Sequence, residues 1–393
     1  MNLKKKNLSG NTEGHPKENL TSELINPVKP GRLLSLDALR GFDMLMIIGG
    51  GHLIQKVSNL NDWGWLDWLA GQMDHTRWHG FTFYDLIFPL FLFISGVSLA
   101  YSLVSQVNKG KPKNEIYLHA FRRMLILMFL GILYKNQPLH FDCGQIRYVS
   151  VLGRIGFTGF CVTLIVLNTK NFQQRLYWVL GLLVTYWAAM MFIPVPGFGA
   201  GNLTLEGNLA GFVDRALMPG KMIQGIFDEN GFFEHIPATA LVLIGALTGE
   251  FLRSPKFTDN KKVVLLALAG IVAIGLGMLW GLHFPINKRL WSSSFILATS
   301  GGCLVLLSLF YLIIDVFGYK KWAFFLVVIG LNSIVAYLAG KFINYSYTAD
   351  YLLNGFYQIS SEPVQHLIRE LGVLTLEWLL LFFLYKKRIF AKI

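Results

Sequence analysis

Charge is scarce in this chain: only 15% of its 393 residues are Asp, Glu, Lys or Arg, against 53% hydrophobic and 14% aromatic. That balance excludes an ordinary soluble domain. Cysteine is rarer still. Cys143, Cys161 and Cys303 are the only three, none at metal-ligand spacing and two of them inside apolar runs, so neither a disulfide framework nor a metal site is expected. No repeat of fixed period and no low-complexity array is present. Residues 1–31 lack an apolar core and read as a disordered tail rather than a cleaved leader.

What remains is a succession of apolar runs, each long enough to cross about 30 Å of hydrocarbon. They fall near 34–56, 80–104, 119–135, 147–168, 175–194, 235–252, 262–283, 291–316, 322–345 and 366–386. The expected fold is therefore all-α, a polytopic transmembrane bundle of about 10 helices. Positive residues are retained on the cytoplasmic side of membranes. Alternate connections, starting from the amino-terminal tail, hold 23 of the 35 Lys and Arg residues, which places both termini in the cytoplasm. The net charge of +12 then reflects topology, and no nucleic-acid partner is expected.

Ionisable residues other than Lys and Arg gather on the opposite side. The segment Asp74-His75-Thr76-Arg77-Trp78-His79-Gly80 stands before an apolar helix that carries Asp85. A carboxylate inside a spanning segment is unfavourable and marks a functional site. His75 can accept a proton from an ammonium or carry an acyl group, which makes His75 and Asp85 the candidate catalytic pair. Ten residues of continuous helix span about 15 Å, so pairing requires the 75–79 loop to fold back. Two arginines sit within apolar runs. Arg40 has Asp37 three residues before it as a structural partner and Asp43 three residues after it as a competitor. Arg154 lies between Gly153 and Gly156, where a ligand can approach. Arg154, Arg40 and Arg147 are the candidates for holding a phosphorylated donor. Asp43, His79, Asn287, Trp291 and Asn332 are candidates for lining a polar cavity, because a buried amide needs a partner that a sugar hydroxyl can supply. Gly49-Gly50-Gly51 suggests a phosphate loop without the strand and helix that make one specific. Asp214 and Arg215 suggest a local or cross-loop ion pair.

At this point the sequence resembles the heparan-α-glucosaminide N-acetyltransferase family. The resemblance is carried by ordered blocks at 34–42 (LSLDALRGF), 75–89 (HTRWHGFTFYDLIFP), 147–156 (RYVSVLGRIG), 194–197 (PVPG), 211–215 (GFVDR), 287–292 (NKRLWS), 330–334 (GLNSI) and 385–393 (YKKRIFAKI). It implies that 32–393 form one transmembrane acyltransferase domain moving acetyl from acetyl-CoA to the amine of glucosamine, with His75 at the family's catalytic histidine. The pattern departs where the family's large luminal domain is absent and where Gly49-Gly50-Gly51-His52 replaces an asparagine. A small free amino sugar, or a murein-derived one, is therefore the expected acceptor and a bacterial inner membrane the expected location; the resemblance alone implies a homodimer. Two other functions fit the same residues. A proton-coupled amino-sugar transporter would use Asp43, Asp85 and Arg154, and a sugar O-acetyltransferase would use the same histidine.

Overall fold

The computed structural model describes residues 33–60, 62–137 and 142–391; the tail expected over 1–31, and His140, lie outside the described residues. Among these residues the only regular structure is helical, apart from one isolated bridge between Val195 and Gly199. The α-helices, in chain order, are α1 (Leu34–Leu45), α2 (Gly51–Ser58), α3 (Gly64–Gly71), α4 (Ile87–Asn108), α5 (Lys113–Lys135), α6 (Val151–Asn168), α7 (Phe172–Phe192), α8 (Leu209–Leu217), α9 (His235–Arg253), α10 (Asp259–Gly281), α11 (Ser293–Tyr311), α12 (Phe324–Leu331), α13 (Ser333–Phe342), α14 (Tyr345–Tyr357) and α15 (Glu362–Lys386). Several start where a short polar side chain accepts from the first turn. Ser150 takes the Gly153 amide, Asn171 that of Gln174, Asn208 that of Gly211 and Ser292 that of Phe295.

Among the described residues, seven helical segments are long and apolar enough to cross a bilayer, and the bent pair α12 and α13, taken as one span, makes an eighth. The protein is thus an integral membrane protein on the measure of its apolar helices. The count is smaller than the ten expected, and the reasons are local. The 34–56 run is broken by a π-helical turn, Met46–Gly50, in which Gly49 has φ 155°. A side chain at that position is strained, so the triple glycine serves to re-aim the chain between α1 and α2. The 366–386 run forms most of α15, which begins at Glu362 and carries Arg369, Glu370 and Glu377 along its length. The 322–345 run bends by 74° at Asn332.

Burial separates the helices into two populations. In α9, 78% of the spanning window is buried, whereas α5, α7 and α10 bury only 22% each. The outer faces of those three present Phe121, Leu125, Phe129, Trp178, Leu268, Ile271 and Leu279 to the surroundings. Such a continuous apolar surface suits lipid and not water. Lipid gives helices no hydrophobic reason to associate, so close approach at small residues takes over. At the α4–α9 crossing a Cβ on Gly96 would lie 2.1 Å from the Val242 carbonyl oxygen, and one on Gly245 would lie 2.2 Å from that of Phe93. Both glycines are thus required by contact. Gly245→Leu must force the two central helices apart at a cost of at least about 1–3 kcal/mol. The expected result is loss of the monodisperse peak in detergent size-exclusion; a variant eluting and melting like wild type contradicts the contact.

Candidate active site

The loop before α4 folds back on itself. Its turns are fixed by Tyr84 N–H donating to the Gln72 carbonyl (3.0 Å), Phe83 N–H to Gln72 Oε1 (3.2 Å) and Thr82 Oγ1 to the Asp74 carbonyl (2.6 Å). Gly80, at φ 121°, takes a conformation that a side chain would resist, and its N–H donates to the Ile286 carbonyl. A 3₁₀ turn, Phe83–Leu86, then leads into α4. Thr82 and Asp85 form a reciprocal capping box at its start, so the carboxylate accepts from the Thr82 amide.

This fold-back brings His75 and Asp85 together, with Nδ1 of the imidazole 2.8 Å from Oδ1. An ionised carboxylate only accepts, so Nδ1–H donates and Nε2 is left with its lone pair. The second carboxylate oxygen accepts from Thr76 Oγ1 and the Thr82 amide, each at 3.1 Å, and the Thr82 hydroxyl, which donates to the Asp74 carbonyl, lies at the same distance. The Asp85 side chain is wholly buried, whereas 45% of the His75 side chain is exposed. A fixed buried orienter behind an accessible ring is the arrangement of a general base or acyl carrier. Tyr84 covers one face of the ring, with centroids 4.9 Å apart.

A residue that sequence reasoning did not single out completes the group. Lys288, from the α10–α11 connection, places Nζ 2.9 Å from His75 Nε2, 3.0 Å from Nδ1 and 3.8 Å from Asp85 Oδ1. Burial pushes its pKa down, against the opposing pull of the Glu229 and Asp85 carboxylates. Lys288 lies within the 287–292 block, but in sequence it is indistinguishable from any lysine in an external connection.

Other expected residues divide into those at the site and those elsewhere. Asn287 is fully buried, its amide nitrogen 3.2 Å from His79 Nδ1 and its Oδ1 accepting from Leu290 N–H. Burial pushes the His79 pKa down, and Nδ1 accepts from the Asn287 amide. Trp291 does not face open space. It is buried at φ 49° and stacks on the Arg154 guanidinium at 4.5 Å. Arg154 also donates to the Glu229 carbonyl at 2.8 Å, while its Nε and Nη1 have no hydrogen-bond partner among the described residues. Arg147 is held elsewhere, donating through Nε and Nη2 to both oxygens of Asp228 at 2.7 Å. Asp43 is completely buried, with neither oxygen hydrogen-bonded among the described residues. Asn332 sits at the α12–α13 bend and holds the C-terminal segment, donating to the Ile389 carbonyl (3.0 Å) and accepting from Ala391 N–H (3.1 Å). Asp214 and Arg215 form no pair. Asp214 accepts from Phe232 N–H, whereas Arg215 donates to the Ile226 and Glu206 carbonyls.

Asp214 is buried beside Glu234, Asp228 and Arg154, and burial raises its pKa to about 7. The ordinary value is 3.8, so the folded protein binds this proton more tightly than the unfolded chain does. Stability contributed by the group is complete below about pH 4 and lost as pH rises through about 7. Asp214→Asn is expected to flatten the fall in Tm between those limits; an unchanged slope in detergent-solubilised protein would count against the assignment.

A cavity of about 460 Å³ runs along the rest of α4. Its walls include Phe91, Ser95, Ser98 and Gln106 of that helix, with Arg40 and Arg123 across from them. Arg40 also contacts Asp37 and donates to Ser98 Oγ. At about 1.5 Å per residue, this wall extends from roughly 9 Å to roughly 30 Å beyond Asp85. Arg154 is not among the lining residues, although its neighbours Leu152 and Ile155 are.

Fold and site together define an integral membrane protein with a carboxylate-oriented histidine at the mouth of a spanning helix and a long cavity along that same helix, in which serines and two arginines stand among apolar side chains. The chain belongs to the heparan-alpha-glucosaminide N-acetyltransferase catalytic family, whose model matches residues 32–280. It is 26% identical to the heparan-alpha-glucosaminide N-acetyltransferase of Mus musculus over 92% of its length, and 25% identical to that of Homo sapiens over 93%. In each case it spans 60% of the relative's length.

Proposed function

We propose that the protein is a membrane-embedded acetyltransferase that moves acetyl from acetyl-CoA to the amine of glucosamine or a related amino sugar. The observation that carries this reading is the His75–Asp85 pair at 2.8 Å, which leaves the lone pair of Nε2, 2.9 Å from Lys288 Nζ, as the base of an accessible ring. Amide formation needs the acceptor's ammonium deprotonated and the tetrahedral oxyanion stabilised. His75 meets the first need, either as base or as carrier of acetyl. Lys288 brings a primary amine within reach of the reacting centre.

The cavity along α4 supports a position for the donor. In this reading an extended pantetheine arm lies along α4, with its thioester towards Asp85 and the nucleotide phosphates at Arg40 and Arg123. Serines at 95, 98 and 102 offer hydroxyls to the arm's amides. Of the three arginines first expected to hold the donor, Arg40 lines this cavity and is the one assigned to the phosphates in this reading. Arg147 is paired with Asp228, and Arg154 contacts Trp291 and the Glu229 carbonyl. His79 and Asn287 bind the sugar beside His75, whereas Trp291 and Asn332 shape the walls. The topology that suits this assignment has ten crossings, counting the broken α1–α2 segment and α15, with both termini cytoplasmic; its membrane is a bacterial inner membrane.

The test uses purified protein in detergent with acetyl-CoA and glucosamine, following release of free CoA and formation of N-acetylglucosamine. Transfer that needs both substrates supports the reading. Sugar uptake into sealed vesicles with no acetyl donor, and no transfer, would instead establish a transporter.

A further inference from the structure

The position of Lys288 has a chemical consequence. An acceptor amine must come within about 2.6–3.2 Å of the base that takes its proton, and Lys288 Nζ already stands over the His75 ring, 2.9 Å from Nε2 and 3.0 Å from Nδ1, within reach of the Nε2 lone pair. It is itself a primary amine. The backbone that delivers it is tightly held: Asn287 N–H donates to Ser292 Oγ, Asn287 Oδ1 accepts from Leu290 N–H, and Ser292 Oγ caps α11. Nζ is therefore placed by a clamped loop rather than by a flexible surface segment, and Lys288 is only 9% exposed. The nearest carboxylate, Asp85, lies at 3.8 Å and is already saturated by His75, Thr76 and Thr82. Partial desolvation, which disfavours the ammonium, increases the neutral fraction that can act as a nucleophile.

We propose that Lys288 occupies the acceptor-amine position in the sugar-free protein and is itself acetylated when donor is bound and no amino sugar is present. The inference rests on the acetyltransferase reading. In the step, Nζ forms a bond to the thioester carbonyl carbon while His75 Nε2 takes the amine proton. The C–S bond then breaks, and that proton passes to the CoA thiolate. One thioester is exchanged for one amide, with no change in oxidation state. The product, acetylated at Nζ, has lost its positive charge and fills the space beside Nε2, so modified molecules are blocked. An amino sugar protects by displacing Lys288 from the base.

The test incubates full-length protein in detergent with isotopically labelled acetyl-CoA, without sugar, and locates label by peptide mass spectrometry. The expected result is stoichiometric label on the peptide containing Lys288, on the order of 10²-fold faster than in His75→Ala, the size of a general-base contribution. Excess glucosamine should suppress it, and Lys288→Arg should remove that peptide's label. Sugar acetylated at full rate while Lys288 stays unlabelled overturns this proposal alone. Label at Lys288 no faster than at the exposed Lys109 and Lys111, or equal in His75→Ala, overturns it as well, because the reaction is then uncatalysed. If neither sugar nor lysine is acetylated, the reading beneath it falls too.

Discussion

His75→Ala is expected to reduce acetyl transfer to glucosamine by about 10²–10⁴-fold, the range of a positioned acid–base group. That loss corresponds to about 3–5 kcal/mol of transition-state stabilisation. Asp85→Asn should cost on the order of 10²–10³-fold without removing the ring. An amide in place of the carboxylate can donate to Nδ1, which would then accept, so the proton moves to Nε2 and the base nitrogen is lost. The two groups act as one unit, so the double variant should be no slower than His75→Ala alone. Rates are compared at saturating acetyl-CoA after size-exclusion shows each variant folded. An Asp85→Asn enzyme with wild-type kcat would remove the carboxylate from the mechanism.

Arg147→Ala is expected to fail on stability rather than catalysis. Its guanidinium bonds both oxygens of Asp228, which is fully buried and, among the described residues, otherwise accepts from the Ile223 and Asn230 amides. Taking one partner from a buried ion pair costs about 3–5 kcal/mol, because the other charge is left without compensation. Asn136 reinforces the same point, donating to the Arg147 carbonyl and accepting from its N–H. The conservative pair Arg147→Gln with Asp228→Asn keeps polar groups facing each other and should lose less than either single change. Thermal unfolding monitored by size-exclusion provides the measure. If Arg147→Ala kept the wild-type Tm but lost acetyl-CoA affinity, the residue would belong to the donor site after all.

The structural partners of Arg147 and Arg154 were not legible in the sequence. An arginine in an apolar run signals only that a partner must exist. Asp228 lies 81 positions after Arg147, and the Glu229 carbonyl that receives Arg154 lies 75 positions after it. Asn332 repeats the lesson, since its partners are the carbonyl of Ile389 and the amide of Ala391. Each residue type carried a correct demand for satisfaction without naming the group that met it.

Some features follow from one-dimensional pattern alone. Long apolar runs make a helical membrane protein because unpaired backbone groups are not tolerated in lipid. The His75 to Pro89 block places a histidine and a carboxylate near a membrane boundary, and the ordered blocks carry the family. Contacts between distant segments belong to the tertiary structure. Only the fold-back of the loop turns a ten-residue spacing into a 2.8 Å hydrogen bond, and only the α10–α11 connection brings Lys288 to the same ring. The physical reason is that burial and periodicity act locally along the chain, whereas the pairing of polar groups depends on which helices pack, and packing in lipid is decided by contacts such as that between Gly245 and Phe93.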